Sequence, residues 1–462
     1  MSTLACQGCG AVLVGDSPAI YRCPNAGRDG GDHVVGRVID AARVRFPDDG
    51  EPNPFVRYRA LTHAHSIALA HGMSDDAFVA LVRELDAAVR TADGRGFVVT
   101  PFARSAALSE ALNLTERGGV WIKDETGNVS GSHKGRHLMG LAILGEVQSR
   151  LGILPPAGAR LAIASCGNAA LAAAVVARAW KRPLDVFIPP DANPRVVAAL
   201  EGHGASVHVC TRVEGVPGDP CYHAFREAVA GGALPFCCQG SDNGLTVEGG
   251  ETLGWELVSE LRAESCTLDR LFVQVGGGAL ASSCVQAFKD AARLGVAVKL
   301  PRIHAVQTRG GFPLRRAWER VSARIAARLG LEAGGGDAVV AERLRAHAGS
   351  PEFEEELTYA AAHRAEFMWP WETEPKSVAH GILDDETYDW LAIVRGMLES
   401  GGYPIVVSEE RLLEANALGR DRTRIDVDPT GSSGLAGLLE LSARGELGAS
   451  ESVAVLFTGV KR

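Results

Sequence analysis

Leu271-Phe272-Val273-Gln274-Val275-Gly276-Gly277-Gly278-Ala279 reads as a buried strand running into a glycine turn that opens a helix. Five largely apolar residues are short for a core helix and suit a strand covered on both faces. The three glycines behind it let consecutive backbone N–H groups converge on an anion, or form no more than a tight turn. The spacing is not G-x-G-x-x-G and no G-x-x-x-x-G-K-[ST] occurs, so neither a standard dinucleotide site nor an NTPase loop is supported.

The same order of strand, loop and helix recurs on both sides. Leu161–Ala164 precedes Ser165-Cys166-Gly167-Asn168 and a helix from Ala169 to Trp180, and Asp185–Ile188 precedes Pro189-Pro190. Further apolar runs lie at Arg302–Val306, Pro404–Val407, Arg424–Val427 and Val453–Phe457. Such alternation predicts an α/β fold of parallel sheets covered on both faces, with ligands at the carboxyl ends of the strands. Upstream, a linker at residues 48–54 is followed by helical periodicity from Leu61 to Val89. Between Gly310 and Pro375 the alternation lapses. There Leu314, Trp318, Val321, Ile325 and Leu329 form a helical stripe, and Arg316, Arg320, Arg324 and Arg328 are expected to be its solvated basic face.

The chain has 462 residues, 46% hydrophobic and 22% charged, with a net charge of −9, the balance of a soluble protein of two or three domains. Its acidity argues against nucleic acid or an anionic membrane as a partner, and no apolar run reaches the roughly 20 residues that span a bilayer. The start, Met1 to Cys6, lacks the basic and apolar regions of a secretory signal, so a cytoplasmic protein is expected. Ten scattered cysteines read as reduced thiols. Residues 1–36 stand apart, with Cys6-x-x-Cys9, Cys23 and His33 among Gly, Asp and Asn. Ala26 stands where a zinc ribbon's fourth sulfur would fall, and His33 can substitute, so this leader is either a structural zinc site or a metal-free ribbon.

Lysine is scarce. Of the positions 123, 134, 181, 289, 299, 376 and 461, only Lys134 lies in a loop of small and polar residues, Gly127-Asn-Val-Ser-Gly-Ser-His-Lys-Gly-Arg136, ahead of an apolar helix expected near His137. Small residues let a planar group lie against the backbone, a helix N-terminus attracts phosphate, and an amine held there can become nucleophilic. The plain alternative is a surface lysine in a turn. Asn168 is an N-cap or an amide turned toward a ligand, and Asp428-Pro429-Thr430-Gly431-Ser432-Ser433-Gly434 brings hydroxyls to the same rim.

Together these loops resemble those of the fold-type II pyridoxal 5′-phosphate (PLP) enzymes, the group of threonine synthase, serine and threonine ammonia-lyases, cysteine synthase and the tryptophan synthase β subunit. The resemblance runs from about Thr100 to Gly459. It is carried by Thr100-Pro101-Phe102, Ser132-His133-Lys134-Gly135-Arg136, Ser165-Cys166-Gly167-Asn168-Ala169, Glu248-Gly249-Gly250-Glu251-Thr252, Gly276-Gly277-Gly278, Ser377-Val378-Ala379-His380-Gly381, Asp428-Pro429-Thr430-Gly431 and Thr458-Gly459. It implies two parallel-sheet, three-layer domains, tryptophan synthase β-like, after a short Cys-rich leader. The large PLP-binding domain would take residues 37–136 and 239–462, with a helical insertion at about 310–375, and a small mobile domain 137–238.

The resemblance also implies roles. Lys134 would be the Schiff-base lysine that moves the substrate's α-proton, with His133, Asn168, Gly276, Gly277, Gly278, Ala279 and Thr430 around the cofactor. Ser165, Cys166 and Gly167 would hold the substrate carboxylate. A threonine hydroxyl facing the pyridine nitrogen need not keep it protonated, which favours elimination at the β-carbon over transamination. The expected function is a PLP-dependent lyase acting on a small amino acid such as serine or threonine through an aminoacrylate. The alternatives are a threonine synthase-like enzyme acting on O-phosphohomoserine and a non-catalytic PLP or metabolite binder. Gln307 stands where metal-assisted serine racemases carry Glu, so their cation is not expected. A homodimer is the implied assembly, and Cys6, Cys9, Cys23 and His33 are the candidate metal ligands.

Overall fold

Three sheets organise the chain. The computed structural model describes residues 2–13, 20–115, 117–154, 158–212, 218–296, 299–332 and 334–462. In chain order the strands are β1 (Thr3–Cys6), β2 (Val12–Leu13), β3 (Val35–Val38), β4 (Phe102–Ser105), β5 (Gly119–Asp124), β6 (Leu161–Ala164), β7 (Leu184–Ile188), β8 (Ser206–Val209), β9 (Leu234–Pro235), β10 (Arg270–Gln274), β11 (Arg302–Thr308), β12 (Ile405–Val407) and β13 (Ser452–Phe457). The leader folds as an antiparallel sheet, β2-β1-β3, with Cys6 opposite Val35. The largest sheet has the order β12-β11-β10-β13-β5-β4, parallel except for the edge strand β4. The third, β8-β7-β6-β9, is wholly parallel.

Every residue of β10 and β13 is buried, which is why their sequences are nearly continuous apolar runs. The helix Ser433–Ala443 packs across β10, β11, β12 and β13. It does so closely because Gly437 carries no side chain where a Cβ would lie 2.4 Å from Val306. β8 is the exposed edge of the third sheet and alternates poorly, so the sequence does not announce it.

The structure corrects several expectations. Arg424–Val427 is not a strand: Arg424 is the left-handed cap of the helix Glu409–Thr423 (φ 62°), and only Val427 forms an isolated bridge, with Val460. The periodicity from Leu61 to Val89 splits into helices His63–Ala70 and Asp75–Asp93, because Gly72 turns at φ 84° and the Ser74 hydroxyl caps the second helix at the Ala77 N–H. The helix expected near His137 begins at Lys134, and Gly167, not Asn168, caps the helix Asn168–Ala179. The basic stripe of the insertion is covered on much of its length. Arg316 lies between Trp369 and Trp371, 4.1 and 4.5 Å from their ring centres, Arg320 over Trp369 and Arg324 over Tyr359. Later residues supply these rings, so charge periodicity alone cannot reveal them.

Candidate active site

Lys134 opens the helix Lys134–Arg150 at the end of a loop stapled from both directions. Ser130 and Gly131 turn through positive φ (55° and 65°), and Gly131 has no space for a Cβ because Val460 lies 2.5 Å from that position. The tail after β13 closes over the loop: His133 N–H donates to the Thr458 carbonyl (3.1 Å) and Val460 N–H to that of Gly131 (2.9 Å). Behind the lysine, the buried Arg136 guanidinium donates to Glu125, Glu256, Thr252 and Thr100, and Lys123 pairs with the same Glu256. A charge this deep is tolerable only when its donors are met, and the network fixes the first turn of the helix.

Lys134 faces a cavity of about 330 Å³. It gathers His133, Ser165, Cys166, Gly167, Asn168, Gly276, Gly277, Gly278, Ala279 and Thr430, all of which the sequence had singled out. Burial, reinforced by the neighbouring Lys134, drives the His133 imidazole well below its ordinary value and that of His137 to about 3. Both rings are therefore neutral at physiological pH, and neither competes with the lysine as a cation.

The glycine loop is built to present amides. Thr387 Oγ1 donates to the Gly276 carbonyl (2.9 Å) and the Asp389 N–H to that of Gly277 (3.1 Å). The first-turn amides of the helix Ala279–Arg293 have no acceptor within it. An anion already uses this cradle: the Asp384 carboxylate accepts from the Gly277 N–H, and a Cβ on Gly276 would lie 2.2 Å from its Oδ2. Burial lifts Asp384 to about 6, against the pull of Lys134 and the Gly277 N–H. The donor set thus fits a phosphate, with a lysine amine in the same cavity to carry a carbonyl compound.

Across the cavity, Ser165-Cys166-Gly167-Asn168 follows β6 and opens a helix, so its amides and the Ser165 hydroxyl suit a carboxylate. Asn168 Oδ1 accepts from Arg462 (3.2 and 3.0 Å), and its amide nitrogen abuts Gly459, where a Cβ would come within 2.8 Å. Cys166 is exposed at the rim, yet desolvation within the cleft and the nearby Asp191, Asp219 and Asp384 hold its thiol above its ordinary value. Thr430 Oγ1 accepts from the Gly381 N–H (3.0 Å), leaving its own proton free to donate.

Other lining residues escaped the sequence reading. Gln274 is a strand residue whose amide donates to the Gly431 and Leu456 carbonyls and to Thr458 Oγ1, tying the Thr430 loop to the tail after β13. Asp384 and Tyr388 come from the acidic run just after Ser377–Gly381; the only signal was the adjoining motif. Outside the cavity lining, the predicted metal set converges. Cys6, Cys9, Cys23 and His33 place their donor atoms within 4.8 Å of one another.

Parallel sheets covered by helices, a glycine loop at a strand end and a lysine across from it at one rim define a fold-type II PLP enzyme. A profile of the pyridoxal-phosphate dependent enzyme family matches residues 95–365, more than half the chain, and the chain belongs to that family. It is 24% identical over 371 residues to a threonine synthase of Methanosarcina acetivorans, covering 78% of this chain and 74% of that one. It is 29% identical over 222 residues to a serine dehydratase-like protein of Rattus norvegicus, covering 47% of this chain and 59% of the relative. In fold it resembles a threonine deaminase from T.th., with a TM-score of 0.55, 22% identity and coverage of 82% and 98%. It also resembles an L-serine ammonia-lyase from Rhizomucor miehei, with a TM-score of 0.55, 18% identity and coverage of 79% and 94%.

Proposed function

We propose that this enzyme catalyses β-elimination on a small hydroxy amino acid, serine or threonine. One observation carries the reading: Lys134, the glycine loop, the Ser165–Asn168 loop and Thr430 converge on a single cavity of amino-acid size. PLP bound there supplies an electron sink when an amino acid loses its α-proton. The amides from Gly277 into the helix that begins at Ala279 would hold its phosphate, Asn168 its 3′ oxygen and Thr430 its pyridine nitrogen. The Ser165 hydroxyl with the amides of Gly167 and Asn168 binds the substrate carboxylate and so orients the α-carbon toward Lys134. The Lys134 amine takes the α-proton and holds it for the departing hydroxyl, while His133, kept neutral by burial, leaves that role to the lysine.

The lining disfavours O-phosphohomoserine. Among the described lining residues Lys134 is the only lysine or arginine and it is committed to the cofactor, so a second phosphate would find no guanidinium and would face Asp219. Serine dehydratase-like relatives support the same choice. The test is direct: purified enzyme with PLP should release ammonia and a 2-oxo acid from serine or threonine, and release of phosphate from O-phosphohomoserine instead would overturn the proposal.

Three finer features belong to this reading. Residues 137–238, which carry the Ser165 loop, move against 37–136 and 239–462 as substrate enters. The enzyme is a cytoplasmic homodimer; among the described residues no helix is long and apolar enough to cross a membrane. The leader cluster of Cys6, Cys9, Cys23 and His33 binds a structural zinc ion, because three sulfurs and one imidazole are the donor set that zinc takes in closed sites.

A further inference from the structure

Two donor pairs of the leader cluster lie at the spacing of a metal centre, within a set whose donor atoms are all within 4.8 Å of one another. Cys6 Sγ and His33 Nδ1 are 3.5 Å apart and Cys9 Sγ and Cys23 Sγ 3.6 Å. Tetrahedral zinc, with bonds of about 2.3 Å to sulfur and 2.0 Å to nitrogen, sets its ligands about 3.5 to 3.8 Å apart. The other ring nitrogen of His33 lies 2.7 Å from an Asp29 carboxylate oxygen, the outer partner that metal-bound imidazoles use. The Asn25 backbone and side-chain N–H groups point at Cys23 Sγ (3.4 Å) and Cys9 Sγ (3.5 Å).

What the cluster touches is the less expected feature. Gly8, inside the Cys6–Cys9 turn, has no room for a Cβ because the Asp32 carbonyl oxygen would lie 1.7 Å away, so the turn is stacked on the residue before His33. Asp32 is 3% exposed; its N–H donates to the Ala361 carbonyl (2.7 Å), and its carboxylate accepts from Trp390 Nε1 (3.2 Å) and pairs with Arg364 (3.3 Å). Arg364 also pairs with Glu386. Trp390, fully buried, closes the segment that begins at Asp384, and from that segment Thr387 and Asp389 grip the Gly276 and Gly277 carbonyls. Asp32, Thr387, Asp389 and Trp390 are buried and Arg364 is half-buried, so releasing one of the buried links leaves a partner without its hydrogen bond.

We propose that the leader's metal centre is a positioning device for the cofactor: it fixes Asp32, Asp32 holds Arg364 and Trp390, and these press residues 384–390 against the glycine loop. The inference rests on the zinc and PLP readings above. It makes affinity for PLP depend on a metal that never touches it.

The test uses the full chain without substrate, reading zinc by elemental analysis and PLP affinity by titrating the absorbance of the bound cofactor. Wild-type protein should carry one zinc per chain. Cys23→Ser should lose the zinc and bind PLP about tenfold more weakly, inside the usual 5- to 150-fold range of coupling between sites. Asp32→Ala should keep the zinc and show a similar loss, and the double variant should be no weaker than either single one. Trp390→Phe, which keeps the ring packing and removes one donor, should keep the zinc and weaken PLP severalfold. Zinc-free wild-type protein, a Cys23→Ser variant with wild-type PLP affinity, or an Asp32→Ala variant with unchanged affinity would each overturn the proposal. Because no turnover is measured, failure of serine or threonine as substrates would leave this result standing.

Discussion

The two walls of the cavity are built differently. On the side of the six-stranded sheet, Lys134 and the glycine loop are backed by buried polar groups: Arg136 with Glu125 and Glu256, Gln274 with the Thr430 loop, and Thr387 and Asp389 with the glycine carbonyls. On the side of the four-stranded sheet, Ser165, Gly167 and Asn168 are half-buried and Cys166 is exposed, with few ties beyond the Arg462 contact to Asn168. A cofactor that stays needs a rigid seat, and a substrate that comes and goes needs a surface able to adjust.

The sharpest way to break this contrast is Lys134→Ala. Turnover should fall by about 10⁴-fold, the upper end for loss of a positioned proton carrier, and the visible absorbance of bound cofactor should go with it; retained turnover would move the chemistry elsewhere. Next in size is a matched pair of arginine deletions. Arg136→Ala strands the buried Glu125 and leaves Glu256 with Lys123 alone, and should cost about 3 to 5 kcal/mol in urea unfolding. Arg160→Ala, which removes a pair with Asp185 on the other sheet where the arginine is 48% exposed, should cost no more than about 1 kcal/mol. Equal losses would show the two walls to be equally tied.

A third pair separates cofactor from substrate. Gly278 sits at φ 103° with Ile393 2.7 Å from where a Cβ would fall, so Gly278→Ala should weaken PLP binding about tenfold, a change of about 1.4 kcal/mol. Ser165→Ala should raise KM for the amino acid by a similar factor and leave PLP affinity alone.

The smallest effect lies where the walls meet. Asp389 is fully enclosed, its Oδ1 has no partner, and its Oδ2 accepts from the Gly240 N–H (3.4 Å). Burial raises it from 3.8 to about 7, with the Gly240 N–H opposing the rise. The folded value lies above the unfolded one, so folding takes up a proton. The favourable contribution is whole below about pH 4 and is lost as pH rises through about 7. Asp389→Asn should therefore stabilise the protein at pH 8 by on the order of 1 kcal/mol and do nothing at pH 4; a gain independent of pH would point to packing instead.

The contrast also explains what the sequence disclosed. β6, β10 and β13 were legible because a buried parallel strand must be a short apolar run and a ligand loop must follow it. The same rule exposed Asn168 and the three glycines; Lys134 stood out as the one lysine in a loop of small and polar residues, and Thr430 was reached through an expected strand, Arg424–Val427, that does not form. β5 was not legible: it ends in Lys123 and Asp124, and Lys123 is buried only because Glu256 arrives from a distant helix. Asp384, Tyr388 and Gln274 were missed for the same reason, since their place in the cavity depends on partners far along the chain. The leader's zinc-like spacing was half legible. His33 could be named as the fourth donor, but only the pairing of β1 with β3 brings it to the sulfurs.

The neighbours in the largest sheet have a consequence for how the chain is made. β5 finds its parallel partner, β13, on the order of 300 residues later, and at about 5 to 20 residues per second that wait lasts tens of seconds on the ribosome. Until then the edge of β5 and the seat of Lys134 stand open. Nascent chains should be most prone to misassociation, and most dependent on chaperones, in that interval rather than after release.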